Sequence, residues 1–304
     1  MHDLLASIDL GTNTARLLVG RVEGGAVAPT LVKRRITRLG GGFTREAGIS
    51  PEAWQRSLEA LTDFAAEMKR TGVTRLRAVA TSAVRDAANG DAFCREVLER
   101  TGIRLEVIDG GEEGLLTLAG VLSGLDRKEG DFFVFDVGGG STEYTLAESR
   151  LPLYTESLPL GVVRLTEGKP DAAAMVEKIG RELAGLGERL EGQGLRGRLQ
   201  GATLVGTAGT ATTLAAISLG MTDYDYRRVN NHILTREEIS RMFGMLLPLS
   251  PEERLGVPGL ERGREDLIIA GTLITLQTLE VFGFDRMTVS DAGLLEGVLL
   301  SLEV

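Results

Sequence analysis

The feature that most constrains this chain is a set of short acid and glycine turns that recurs at a nearly constant spacing. Asp9-Leu10-Gly11 returns as Asp136-Val137-Gly138, 127 positions later, and Val79-Ala80-Thr81 returns as Val205-Gly206-Thr207 at an offset of 126. A third pair, Val107-Ile108-Asp109 and Val289-Ser290-Asp291, is offset by 182, which places about 55 additional residues in the second half. One such match between glycine turns is ordinary. Three in the same order predict two related domains.

The residues between the turns support that reading. In the first half, apolar strands at 4–10, 17–19 and 26–36 are separated by the turns Gly11-Thr12-Asn13-Thr14 and Gly24-Gly25. Ser50-Pro51-Glu52 starts a helix, with a capping hydroxyl, proline in the first turn and an acid at the positive end of the dipole. Strands at 76–80 and 105–108 then alternate with helices. The second half repeats a meander at 132–135, 143–146 and 153–158, followed by helices around a strand at 203–205 and a last strand and helix at 287–289 and 291–302. Hairpins followed by βα units predict an α/β fold of two domains, 1–125 and 126–304, each a mixed five-stranded sheet with helices on its faces. The polar stretch 124–130 is the link, and the terminal helix is free to pack back.

Composition narrows the partners. A net charge of −9 argues against a nucleic acid polymer or an anionic membrane surface. The apolar run 267–279 is too short and too polar to span a bilayer; the helix around it, 264–281, suits the core or a homodimer contact, and the core is the simpler reading. A single Cys94 and an N-terminal stretch with acids and no basic leader predict a cytoplasmic protein without disulfides or a multi-cysteine metal site. Only His2 and His232 are present, so proton transfer falls to carboxylates.

The densest polar turn is Asp136-Val137-Gly138-Gly139-Gly140-Ser141-Thr142-Glu143, which follows the apolar run Phe132-Phe133-Val134-Phe135. Three glycines without Cβ atoms let backbone N–H groups converge on phosphate oxygens, while Asp136 and Glu143 can approach a divalent cation. A tight hairpin turn is the alternative, although one or two special residues suffice for that. Gly11, Thr12, Asn13 and Thr14 form the matching turn of the first half. Gly206-Thr207-Ala208-Gly209-Thr210 adds N–H groups at a helix start, another anion site. Arg85 ends a strand-to-helix turn, placed equally well for a terminal phosphate or for a salt bridge with Asp86 or Asp91. Lys33-Arg34-Arg35, with Arg38 and Arg45 nearby, is either a downstream phosphate track or a solvated face. Glu112-Glu113 at a helix start reads, on its own, as a pair of dipole-stabilising acids.

These residues resemble the exopolyphosphatase and guanosine pentaphosphate phosphohydrolase (Ppx/GppA) family, in its short form without a C-terminal HD domain. The resemblance rests on the turns above together with Ala80-Thr81-Ser82-Ala83-Val84-Arg85, Gly111-Glu112-Glu113, Leu160-Gly161-Val162-Val163-Arg164 and Ser290-Asp291-Ala292-Gly293. It implies two duplicated ribonuclease H-like domains of the actin, sugar-kinase and Hsp70 superfamily, with the active site in the cleft between them. It implies Glu113 as the base that activates water, Arg85 on the terminal phosphate, and Asp136 and Glu143 as ligands of Mg2+ or another divalent cation. The implied substrate is inorganic polyphosphate, hydrolysed at its terminal phosphoanhydride, or guanosine pentaphosphate. Leu115 and Leu295 stand where relatives commonly carry arginine, removing two cations expected near the cleft. A kinase or ATPase of the same superfamily, or a non-catalytic polyphosphate or alarmone sensor, would use the same phosphate turns.

Overall fold

The structure is a computed structural model and describes residues 3–43 and 46–303, so the expectations on His2 and Arg45 lie outside the described residues. The chain separates into two units, Met1–Ser123 with Gly293–Val304, and Gly124–Ala292. The anticipated second domain was 126–304; its final helix here belongs with the first unit.

The first unit runs β1 (Leu5–Leu10), β2 (Thr14–Glu23), β3 (Ala26–Ile36), α1 (Pro51–Thr71), β4 (Arg75–Ala80), α2 (Ser82–Arg85), α3 (Gly90–Thr101), β5 (Leu105–Val107) and α4 (Gly110–Gly124). The sheet order is β3-β2-β1-β4-β5, with β1, β4 and β5 parallel and the β1-β2-β3 meander antiparallel. Strand alternation sends Ala6, Ile8, Leu10, Leu17 and Val19 into a core shared with Leu58, Leu61 and Phe64 of α1. The α1 start is capped as anticipated, with Ser50 accepting from Ala53 N and Pro51 in the first turn.

The second unit runs β6 (Asp131–Val137), β7 (Thr142–Glu148), β8 (Leu151–Leu158), α5 (Val162–Gly168), α6 (Ala172–Gly192), β9 (Thr203–Thr207), α7 (Ala208–Ser218), α8 (Tyr226–Val229), β10 (Ile233–Thr235), α9 (Arg236–Leu246), α10 (Pro251–Arg254), α11 (Ile268–Phe282) and β11 (Arg286–Val289). Its sheet order, β10-β11-β9-β6-β7-β8, repeats the first sheet as β8-β7-β6-β9-β11 and adds β10 outside it. Both halves thus carry the 3-2-1-4-5 arrangement of the ribonuclease H-like fold. Six strands replace the expected five because the inserted residues between β9 and β11 supply β10, which pairs antiparallel with β11 and covers that edge. The apolar α11 is core: Ile268, Ile269, Leu273, Ile274 and Leu279 are buried with Phe133, Tyr144 and Leu183. The final helix, α12 (Leu294–Leu300), packs on the first sheet through Leu295 and Leu299 against Leu5, Leu18 and Val22.

The two halves agree in topology and differ in register. Asp9 lies opposite Val79, whereas Asp136 lies opposite Thr207, which the 126 offset equates with Thr81. A two-residue slip leaves every side chain on its original face, since the strand period is two.

Candidate active site

Both glycine turns are built alike. Gly11 N donates to Thr14 O at 2.9 Å, and Gly138 N donates to Ser141 O at 3.0 Å. In each, the loop carbonyls are drawn away by a neighbouring segment. Thr37 N and Arg38 N donate to Asn13 O, and Gly40 N to Thr12 O. Val162 N donates to Gly138 O at 3.0 Å, and Val163 N to Gly139 O at 2.9 Å, so the start of α5 backs the triple glycine. Gly161 is required at that contact, because a methyl group there would overlap Gly139 O and Gly140 C. With the Gly138 and Gly139 carbonyls committed to α5, the N–H groups on the opposite edges of those peptides are turned the other way.

In the first unit, Thr12 Oγ1 and Ser82 Oγ lie 2.9 Å apart, which ties the turn to α2. Arg85, the last residue of α2, donates through Nη1 to Ile108 O at 2.9 Å and to Glu113 Oε2 at 3.4 Å. Asp86 is 3.9 Å from Arg85 Nε, beyond hydrogen-bond reach. Glu113 is buried and Glu112 is exposed on the far side of the helix start, 2.6 Å from Arg77. The two acids diverge because successive helical residues point about 100° apart. Asn13 Oδ1 is buried without a hydrogen-bond partner among the described residues, a polar atom left at the turn.

In the second unit, Asp136 and Glu143 are cross-strand partners on β6 and β7, both buried, with side chains on one face. Ser157, next in the same row on β8, donates to Glu143 Oε1 at 2.7 Å. The equivalent row of the first unit is Asp9, Arg16 and Arg34. There, Arg16 holds Asp9 Oδ2 through Nε at 2.9 Å and Nη2 at 2.6 Å. Position 16 and position 143 correspond at the repeat offset of 127, so one half has a built-in cation where the other has a second carboxylate.

Several anticipated contacts serve the scaffold. Thr142 is fully buried and gives its hydroxyl proton to Leu160 O; Thr207 donates to Ala292 O at 3.0 Å; Gly206 packs against Phe135 and Met287; Thr210 lies against Gly271 of α11. Ser141 and Gly140 are buried in the loop. At Gly209, sequence reasoning missed a neighbour: a Cβ there would overlap the Arg264 guanidinium, which lies on the first turn of α7. Only tertiary packing reveals it, 55 residues away in sequence. The basic run divides by strand alternation: Lys33 binds Glu67 at 2.6 Å and Arg35 binds Asp63 at 3.1 Å, both on α1, whereas Arg34 shares the opposite face with Arg16 and Asp9. Leu295 is 2% exposed and belongs to the core under β1 and β2, whereas Leu115 is 45% exposed.

The model of the Ppx/GppA phosphatase family matches residues 18–304 of this sequence. The chain belongs to the Ppx/GppA phosphatase family. It is therefore a hydrolase acting on phosphoanhydrides. Exopolyphosphatase 2 of Mycobacterium tuberculosis is 35% identical over 98% of each chain. The guanosine-5'-triphosphate,3'-diphosphate pyrophosphatase of Aeromonas hydrophila is 27% identical over 99% of this chain and 60% of its own length. The crystal structure of the Aquifex aeolicus Ppx/GppA family member superposes with a TM-score of 0.81 at 32% identity, covering 100% of this chain and 98% of that one.

The residues of the second unit fit the cation that the resemblance implies. Asp136 and Glu143 are buried side by side on one face, where the first half has Arg16 beside Asp9. Carboxylate and hydroxyl oxygens are hard donors. Among the described residues no three His, Cys, Asp or Glu side chains converge as a cage. Mg2+ takes one or two carboxylates and completes its shell with water and phosphate, which is compatible with a two-carboxylate pair.

Proposed function

We propose that the protein is an exopolyphosphatase: it hydrolyses the terminal phosphoanhydride of inorganic polyphosphate and releases orthophosphate. The observation that carries the reading is the buried Glu113 carboxylate 3.4 Å from Arg85, on an α2 segment hydrogen-bonded to the first glycine turn. Arg85 has five N–H donors, and its Nη2 pair is spent on no protein acceptor among the described residues. Those donors take oxygens of the terminal phosphate. Glu113 accepts a proton from the attacking water as the water oxygen bonds to the terminal phosphorus. The bridging P–O bond breaks and its electron pair leaves on the shortened chain. The Gly11 and Gly138 N–H groups close the turns themselves, so the backbone N–H groups of Thr12 and Asn13 in the first unit, and of Gly139 and Gly140 in the second, are the ones that take phosphate oxygens. The Gly209 N–H and Ser141 add to these, Arg264 adds a guanidinium at Gly209, and Arg34 with Arg16 is the remaining cationic row for a downstream phosphate. Asp136 and Glu143 are the residues that would hold Mg2+, and the ion would supply positive charge to the phosphate oxygens.

Hydrolysis of guanosine pentaphosphate at its 5' end is the second reading, since the same family includes guanosine-5'-triphosphate,3'-diphosphate pyrophosphatases. Full-length correspondence to an exopolyphosphatase at the higher identity favours polyphosphate. Purified protein with Mg2+ is expected to release orthophosphate faster from polyphosphate than from guanosine pentaphosphate at equal concentration. Glu113→Gln should lower turnover by roughly 10²–10⁴-fold while phosphate-chain binding persists. Faster release from the pentaphosphate would reverse the substrate order; full activity of Glu113→Gln would remove Glu113 as the base.

A further inference from the structure

The helix that carries Glu113 is held at both ends by residues from the other terminus of the chain. At its start, Asp109 caps α4: its Oδ1 accepts from Glu112 N at 2.8 Å, and its backbone O from Glu113 N at 2.9 Å. Glu112 then turns outward to Arg77 on β4, whose guanidinium has three partners. Nη2 donates to Glu112 at 2.6 Å, Nε to Glu106 of β5 at 3.0 Å, and Nη1 to Ser301 Oγ, just beyond α12, at 2.8 Å. At the other end, α4 crosses α12 backbone against backbone. A Cβ on Gly297 would overlap Leu116 O, and one on Gly120 would overlap Gly293 O. The crossing helix is itself pinned to the sheet, because Ser7 Oγ of β1, the register partner of Arg77, donates to Leu295 O at 2.7 Å.

The geometry points to Arg77 and Ser301 as positioning residues for Glu113, forming a latch through which the C-terminal segment fixes the start of α4. A guanidinium is suited to this, since its planar fork holds three acceptors in fixed directions. Exposed ion pairs of this kind contribute little to global stability. Glu112 is half exposed and Glu106 likewise, so the latch acts on where the first turn of α4 sits, with only a small effect on whether the unit folds. Glu113 follows Glu112 directly, and a shift of the first turn carries its carboxylate with it.

This inference rests on Glu113 as the base, and the test separates the two. Steady-state kinetics on polyphosphate would compare wild type, Arg77→Met, Arg77→Lys, Ser301→Ala and the Arg77→Met/Ser301→Ala double variant, with Arg70→Met, an exposed pair on α1, as control. Arg77→Met and Ser301→Ala should lower kcat, the former by roughly tenfold, with KM changed less than about twofold. The double variant should fall little below Arg77→Met, because both remove one connection. Arg77→Lys should recover part of the loss, and Mg2+ affinity, set by Asp136 and Glu143, should be unchanged. Wild-type kcat in both single variants, with Glu113→Gln inactive, would overturn the latch and leave the base in place. A loss of kcat that merely follows the folded fraction would also overturn it. Full turnover in Glu113→Gln would remove the base and the latch together.

Discussion

At the residue scale, the informative comparison is between position 16 and position 143. Both sit one strand away from the acid that ends the first strand of their sheet, on the same face. Arginine at the first satisfies Asp9 inside the protein; glutamate at the second sets another buried carboxylate beside Asp136, the pair proposed above to hold Mg2+. Opposite stability effects follow. Glu143→Gln removes a like charge beside Asp136, so in EDTA its melting temperature should equal or exceed that of wild type, while the rise on adding Mg2+ should vanish. Arg16→Met should be destabilised by about 1–3 kcal/mol, below the ~3–5 kcal/mol of a fully buried pair because the Arg16 side chain is 23% exposed. Thermal melts with and without Mg2+ read both. If Glu143→Gln keeps the Mg2+ shift, the ion is held elsewhere.

At the scale of elements, a glycine turn can present its N–H groups because something behind it takes its carbonyls. The segment after β3 does this for Gly11 to Thr14, and the first turn of α5 does it for the triple glycine. The helix dipole of α5 is thus used on the protein's own carbonyls and not on a ligand. Gly161→Ala tests the arrangement: the added methyl overlaps Gly139 O and Gly140 C, so the loop must shift. Overpacking of this kind costs about 1–3 kcal/mol. The expected result is a several-fold weaker binding of tripolyphosphate, measured by calorimetry, with the Glu113 side of the reaction intact in a kcat measured at saturating substrate. Unchanged affinity would show that the loop does not bind phosphate. The sequence made Gly161 visible only as part of a motif, since a glycine required by a contact with residues 139 and 140 has no local signature.

At the scale of the whole molecule, the chain passes between its two units twice, once after Ser123 and once before Gly293. The first unit therefore depends on its last twelve residues. Leu294, Leu295, Val298 and Leu299 are buried on it, and at roughly 1.5–3 kcal/mol each they contribute about 6–12 kcal/mol, comparable to the ~5–15 kcal/mol by which a domain is stable. A fragment of residues 1–123 should lack a cooperative thermal transition, and the same fragment joined by a flexible linker to 293–304 should regain one; circular dichroism melts decide. The succession of strands and helices, the mixed sheets, the helix cap at Ser50, and the acids and glycines of each turn were legible in the sequence, because alternation, spacing and turn chemistry are local. The apolar composition of α11 suited the core or a subunit contact, with the core as the simpler reading, and did not say against what it would pack. The strand β10, the division of Lys33, Arg34 and Arg35 between two faces, the Arg264 guanidinium on Gly209 and the burial of Leu295 were not legible. Each depends on which distant segment comes alongside, and that is set by packing of the whole unit. The sequence by itself determined that acids and glycines would stand at the ends of paired strands. The tertiary structure decided which acid meets an arginine, which meets another acid, and which helix holds Glu113, because burial and pairing are properties of neighbours that the linear order does not contain.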